Sequence, residues 1–369
     1  SSPQRELDFA ARITRRLLAS APLVIASWPQ RVEDRDCTPS PLIREWPELS
    51  PAELPQAGPP AYARILAAHA RLESREETEA PPVAAGQHSR GGSRIFQYQA
   101  LCPFRAFAQL RLGAQRPRLP EPGFSPLDRG HAIHRALEYF WGKLESQQRL
   151  LSLDPPSIDA LLDEAIQHGL RRACARRTDL GPRLIELERR RLKELLAAWL
   201  EHEKSSEPFL VVAREQERDI ELGGVRTTVK VDRVDRLPDG REVILDYKTG
   251  ECSVKSWHGD RPEDPQLPLY AVTHASPLAA VLYARIKAGE TRPIGLHADR
   301  PLIRGAGLLS RETLDQWRDA LQRLAQAFRG GYAAVHPKRP GQTCRTCRFE
   351  PLCRVYEAEF EPESGDEEP

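Results

Sequence analysis

VDRVDRLPDGREVILDYKTG, Val231 to Gly250, is the stretch that decides the fold. Two runs of strand-forming residues flank Pro238, Asp239 and Gly240, a three-residue hairpin loop in which proline presets φ and glycine accepts the left-handed conformation. Such a loop makes Leu237 and Arg241 the first flanking pair. Stepping outward one residue on each strand sets Asp232 directly opposite Asp246, with Cβ atoms roughly 5 Å apart on one face. Alternation puts Lys248 on the same face as Asp246 and sends Val243, Leu245 and Tyr247 to the other.

Two carboxylates held that close disfavour each other's ionisation unless a cation neutralises them. A hard, oxygen-rich site of this kind suits Mg2+ or Mn2+, which need few protein carboxylates and keep several waters. Lys248 beside it is placed to position or help deprotonate a water and to offset charge on a phosphorane-like transition state. The competing reading is a salt-bridged wet face of an ordinary hairpin. The fixed register, and the D-x-K that ends an otherwise apolar strand, favour the metal site. Glu215, on the strand before the hairpin, offers a further carboxylate or an ion pair to a nearby arginine.

Working outward, amphipathic helical patterns cover 127–146, 157–177 and 182–204, with apolar residues every three to four positions. The period then changes to strands at 209–216, 218–224 and 225–234, leading into the hairpin. A helix over 265–274, a strand over 279–286 and a helix over 311–330 follow, the last with Ser310 as N-cap. Another helix is expected to start close to Cys102 and Pro103. These elements predict an α/β fold, a central mixed sheet flanked by helices with a helical insertion. Ahead of it lie a helical pattern, a short apolar strand LVIAS at 23–27, a second helical pattern at 61–79 and a Pro-, Gly- and Ser-rich run at 80–93 that reads as a linker. The expected divisions are therefore 1–92, a main domain at 93–356, and a disordered acidic tail at 357–369.

The 369 residues carry a net charge of +1, so a whole-molecule field that binds polyanions is excluded and any nucleic-acid contact must come from local patches. RRACARR at 171–177 is one such patch. No eighteen-residue apolar run and no secretion signal are present, which predicts a cytoplasmic protein without a membrane partner. Seven cysteines in such a chain point to metal ligation rather than disulfides. Cys102 stands alone, whereas Cys344, Cys347 and Cys353 form C-x2-C-x5-C; Cys37, Cys174 and Cys252 read as ordinary thiols. Four thiolates accept either Zn2+ or a 4Fe-4S cluster, and spacing alone does not separate the two. Either would close a loop of more than half the chain, a mechanical staple that restricts the unfolded state. No G-x4-G-K-(S/T) occurs, so ATP hydrolysis is not expected.

VDRVDR followed by ILDYKTG resembles the core motif of the PD-(D/E)XK nuclease superfamily, in its RecB-like branch. RGHAIHRALEYFW at 129–141 resembles that branch's G-x3-H motif through Gly130 and His134. QLPLY resembles its Q-x3-Y motif through Gln266 and Tyr270, and YQALCPFRAF with CRTCRFEPLC resembles the split four-cysteine motif of AddB-type nucleases. The resemblance covers about 93–356. It implies a restriction-endonuclease-like core and a Mg2+- or Mn2+-dependent deoxyribonuclease, an exonuclease on single strands or duplex ends in recombinational DNA repair. Asp232, Asp246, Lys248, Gln266 and Tyr270 would be catalytic. His134 would join Asp232 and Asp246 as a metal ligand; His131, on a neighbouring helix face, is the alternative. One remote cysteine plus three close ones is the pattern of iron-sulfur nucleases, so Cys102, Cys344, Cys347 and Cys353 would bind 4Fe-4S, with Zn2+ as the alternative. Residues 23–46 resemble the end of the helicase-like domain of AddB and RecB proteins, which implies DNA and a helicase domain or subunit as partners. The rival functional class is a catalytically inactive nuclease-fold module that binds DNA or acts as a scaffold.

Overall fold

A computed structural model describes residues 2–50, 53, 62, 65, 68, 77–116, 123–176, 180–299, 302–303 and 306–357. The chain divides into two compact units, Ser1–Glu76 and Glu77–Pro369. In the first, an amphipathic helix spans Pro3–Leu18, its N-cap Ser2 accepting from the Arg5 amide. The expected strand at 23–27 joins no sheet; the short ladder lies instead at Arg31–Val32 and Arg35–Asp36, either side of a turn. The helical pattern at 61–79 and the acidic tail fall largely outside the described residues. No helix among the described residues is long and apolar enough to cross a membrane.

The second unit carries the α/β fold expected from the sequence. Its elements in chain order are α1 (Ser93–Leu101), α2 (Pro126–Leu144), α3 (Pro155–Arg176), α4 (Pro182–Ser205), β1 (Leu210–Leu222), β2 (Val225–Arg236), β3 (Glu242–Lys248), α5 (Gln266–Val272), β4 (Leu278–Arg285), β5 (Arg292–His297), β6 (Gly307–Leu308) and α6 (Arg311–Gly330). The strands form one six-stranded mixed sheet in sequence order. β3 pairs β4 in parallel and β5 pairs β6 in parallel; the other neighbours are antiparallel. Helices cover both faces. Val243, Leu245 and Tyr247 pack toward α2, α3 and α4, whereas Ile244, Val281 and Tyr283 pack toward α1, α5 and α6.

The run at 80–93 is not a linker ahead of this unit but a strap along it. Ala80 and Val83 donate their amides to Gly331 and Arg329 at the end of α6, and Ser89 donates to Arg226 of β2. Turn-forming composition identified the bends correctly but was silent on where the free backbone groups find partners. The two strands expected at 209–216 and 218–224 are one, β1. It runs through an irregularity at 211–213 and a positive φ of 44° at Glu215. Two cap details follow the sequence: Ser310 accepts the Thr313 amide at 3.0 Å, and Pro103 opens a short helix directly after Cys102.

Candidate active site

The hairpin closes as its turn residues require: Leu237 N donates to Arg241 O at 2.9 Å, and Gly240 takes a φ of 85°. The β2–β3 ladder then runs from Arg236 opposite Glu242 to Arg233 opposite Leu245, the register that the turn predicts. There it ends, one step short of the two aspartates. β2 continues with β1 alone and β3 continues with β4 alone, so Asp232 and Asp246 stand in the fork where two strands part. Asp232 uses the gap to accept the Tyr247 amide at 2.9 Å.

The fork collects charge from three further elements. α2 begins at a capping box between Ser125 and Asp128 and buries Ile133, Leu137 and Phe140, which aims His134 at the sheet. Its Nε2 lies 2.9 Å from Tyr247 O; its Nδ1 lies 3.3 Å from Glu215 and 3.4 Å from Asp232. His134, Glu215 and Asp232 each offer a ligand atom within 4.8 Å of the other two, a grouping able to hold a metal ion. Glu215 is thus drawn in by the local twist of β1. It pairs with Lys230 and His134, not with the arginine considered for it. Asp246, expected to share a cation with Asp232, has its Oδ2 2.7 Å from Lys248 Nζ, an ion-pair contact without hydrogen-bond alignment.

Lys248 is held from the α5 side. It donates to Gln266 Oε1 at 3.1 Å, and Gln266 Nε2 donates to the Tyr270 hydroxyl at 3.1 Å, which donates to Lys230 O. Because an ammonium only donates, the amide oxygen of Gln266 must face it. Gln266 and Tyr270 therefore sit one turn apart on one face, beside the lysine. Asp264 lies 3.6 Å from Lys248 and accepts from Tyr283 at 2.7 Å, a member the sequence did not signal.

The acids and bases of the fork shift one another's titration strongly. Burial alone would lower the His134 pKa, but Asp232, Glu215 and Asp246 raise it to about 10. Burial raises Asp246 to about 7, with Lys248 pulling it down and Asp232 and Asp264 pushing it further up. A divalent ion would relieve the repulsion between these carboxylates and compete with the proton on His134. The donor set, carboxylate oxygens and one imidazole, fits a hard ion. A cleft of about 350 Å3 opens onto His134 and Glu215, and His131 lies on its wall rather than in the grouping.

Behind the site lies a buried network that no sequence motif signals. Arg233, 1% exposed, reaches Asp235 twice at 2.7 Å and Glu203 of α4 at 2.7 and 3.1 Å. Its guanidinium stacks over Trp141 at 4.2 Å and Phe209 at 4.7 Å. Arg233 adjoins Asp232 in β2, so this network anchors the strand that carries a site carboxylate.

At the other end of the unit, Lys338 N donates to Leu101 O and Phe104 N to Ala334 O, which brings the C-terminal segment to Cys102. Arg261 binds both limbs, donating to Ala100 O and His336 O at 2.7 Å. No disulfide joins the cysteines. Burial, together with the neighbouring thiols Cys102, Cys347 and Cys353, raises the Cys344 thiol to about 11. Burial raises the Cys347 and Cys353 thiols as well.

The family described as the PD-(D/E)XK nuclease superfamily matches residues 93–354. No curated protein matches the chain. Fourteen chains of solved structures match. One, titled "Crystal structure of SSO0001", is 15% identical with a TM-score of 0.26, covering 66% of this chain and 90% of its own, a likeness too distant to carry an argument.

Proposed function

Since the chain belongs to the PD-(D/E)XK nuclease superfamily, we propose that it is a Mg2+- or Mn2+-dependent deoxyribonuclease that hydrolyses phosphodiesters of single strands or duplex ends in recombinational repair. The observation that carries this reading is the fork, where His134, Glu215 and Asp232 gather beside the Asp246–Lys248 pair. His134, Asp232 and Asp246 would hold the cation, with Glu215 within reach. A bound divalent ion would polarise a phosphoryl oxygen and acidify a water. The chain's own residues do the rest. Burial would lower the Lys248 pKa, yet Asp246 and Asp264 hold it well above the ordinary lysine value. Lys248 would offset charge developing on the phosphate and position the attacking water. Gln266 and Tyr270 hold its ammonium in place, so they are positioning residues.

The test is incubation of the purified chain with end-labelled single-stranded and linear duplex DNA, with Mg2+ or Mn2+ and with chelator. Metal-dependent release of short products from an end supports an exonuclease. DNA binding without cutting under every metal condition favours the inactive binding or scaffolding module instead. A helicase domain or subunit as partner, and a place in the cytoplasm, belong to the same proposal; the former rests on the resemblance of residues 23–46.

We further assign a 4Fe-4S cluster to Cys102, Cys344, Cys347 and Cys353, as a staple rather than a reactant. Anaerobically purified protein should absorb broadly at about 400 nm. Cys344→Ser should remove that absorbance and lower the unfolding temperature, because the metal closes a long loop. A colourless preparation with one zinc per chain would replace the cluster by Zn2+.

A further inference from the structure

The cleft that opens onto His134 and Glu215 is lined by α2, α3 and the edge of β1–β2. Its depth depends on Gly169 of α3, where a Cβ would lie 2.3 Å from Ala132 O and 3.2 Å from the Ala136 side chain. That close helix contact brings two arginines to one wall: Arg135 lies three residues after Ala132, and Arg172 three after Gly169, so each shares a helix face with its contact point. Neither makes an ion pair or a hydrogen bond among the described residues, unlike Arg129, Arg191 and Lys193 on the neighbouring surface. Of the three acids on the wall, Asp128 is committed to the α2 capping box and Glu215 to His134 and Lys230, which leaves Glu138. Lys230 stands where the cleft meets the metal grouping, paired with Glu215.

We propose that this cleft is a phosphate subsite for a single nucleic-acid strand, in which Arg135 and Arg172 bind a phosphate next to the scissile one. The inference rests on the nuclease reading and deepens it. A volume of about 350 Å3 is at the low end of ligand pockets, roughly 300–1,000 Å3, on the scale of a single nucleotide. Guanidinium groups match phosphate oxygens in pairs, which a lysine does not. The local patch also supplies what a net charge of +1 does not. Among the described side chains of the basic run at 171–177, Arg172 lines the cleft.

The experiment is an anisotropy titration of a labelled single-stranded DNA oligonucleotide with the full chain, in chelator so that nothing is cut, at a series of salt concentrations. Neutralising one phosphate on a single strand contributes a slope of about −0.7 in log K against log salt. The double variant Arg135→Gln/Arg172→Gln should therefore lose about 0.7 of the wild-type slope and bind at least roughly tenfold more weakly at low salt. Arg135→Lys should keep the slope and lose affinity, whereas Arg190→Gln, on a surface ion pair, should match wild type. Oligonucleotides with and without a terminal phosphate distinguish the source. A preference for the phosphorylated end that disappears in the double variant assigns the subsite to a strand terminus, and an equal loss on both assigns it to an internal diester. An unchanged slope and affinity in a folded double variant overturns the proposal. If wild type fails to cut DNA while the slope still falls, the subsite stands and the nuclease reading fails; if wild type cuts and the slope is unchanged, only the subsite fails.

Discussion

Asp246→Asn is expected to lower DNA cleavage by about 10²–10³-fold or more, the loss typical of removing one preorganised electrostatic group, while leaving the fold intact. Both halves follow from the same geometry. Asp246 is 1% exposed, and burial already raises it to about 7, so a neutral amide of the same shape removes an unfavourable buried charge. The site, however, loses a cation ligand and the partner that fixes Lys248. Lys248→Ala is expected to cost a similar factor in turnover. The double variant should be little worse than either single one, because the two act as a unit. Single-turnover cleavage alongside thermal unfolding checks this. Full activity in folded Asp246→Asn would place the chemistry elsewhere.

Arg233→Met should be the most damaging change to stability, about 3–5 kcal/mol, because it strands Glu203 and Asp235 as buried carboxylates without their cation. Burial already pushes Asp235 upward and Arg233 opposes it. Without the guanidinium, the folded-state pKa of Asp235 rises further above its unfolded value of roughly 4. The folded variant then binds more protons than the unfolded chain, so its stability falls as pH rises through that window. Denaturant unfolding should show a larger gap between variant and wild type at about pH 8 than at about pH 5. A gap that shrinks toward high pH would mean that the acids are not left charged and buried. Replacing all three residues by apolar ones should recover much of the loss.

What was legible in the sequence was local. The Pro-Asp-Gly loop specified its own register, and the ladder from Arg236–Glu242 to Arg233–Leu245 follows it. Amphipathic periodicity located α6 to the residue, and the Q-x3-Y spacing placed Gln266 and Tyr270 on one face beside Lys248. Illegible were features set by contacts distant along the chain. The fork that parts Asp232 from Asp246 depends on β2 choosing β1 and β3 choosing β4 as continuing partners, a choice no two-strand argument contains. Glu215 reaches His134 only through its unusual backbone conformation, which nothing in AREQERD announces. Arg233 and Asp235 were read within a motif, while their partner Glu203 lies on a helix that precedes the sheet. Arg261, which joins the two limbs around the cysteines, sits in a loop whose composition marks only turns.

Anomalous diffraction from crystals of the full chain grown with Mn2+ tests the central claim most directly, that the strand fork is a binding site for a hard cation. The expected result is a manganese peak in the fork coordinated by Asp232, Asp246 and His134, with carboxylate distances of about 2.0–2.2 Å and Asp246 released from its contact with Lys248. A fork that stays free of manganese at saturating concentration, or an ion whose ligands leave out Asp246, would contradict it.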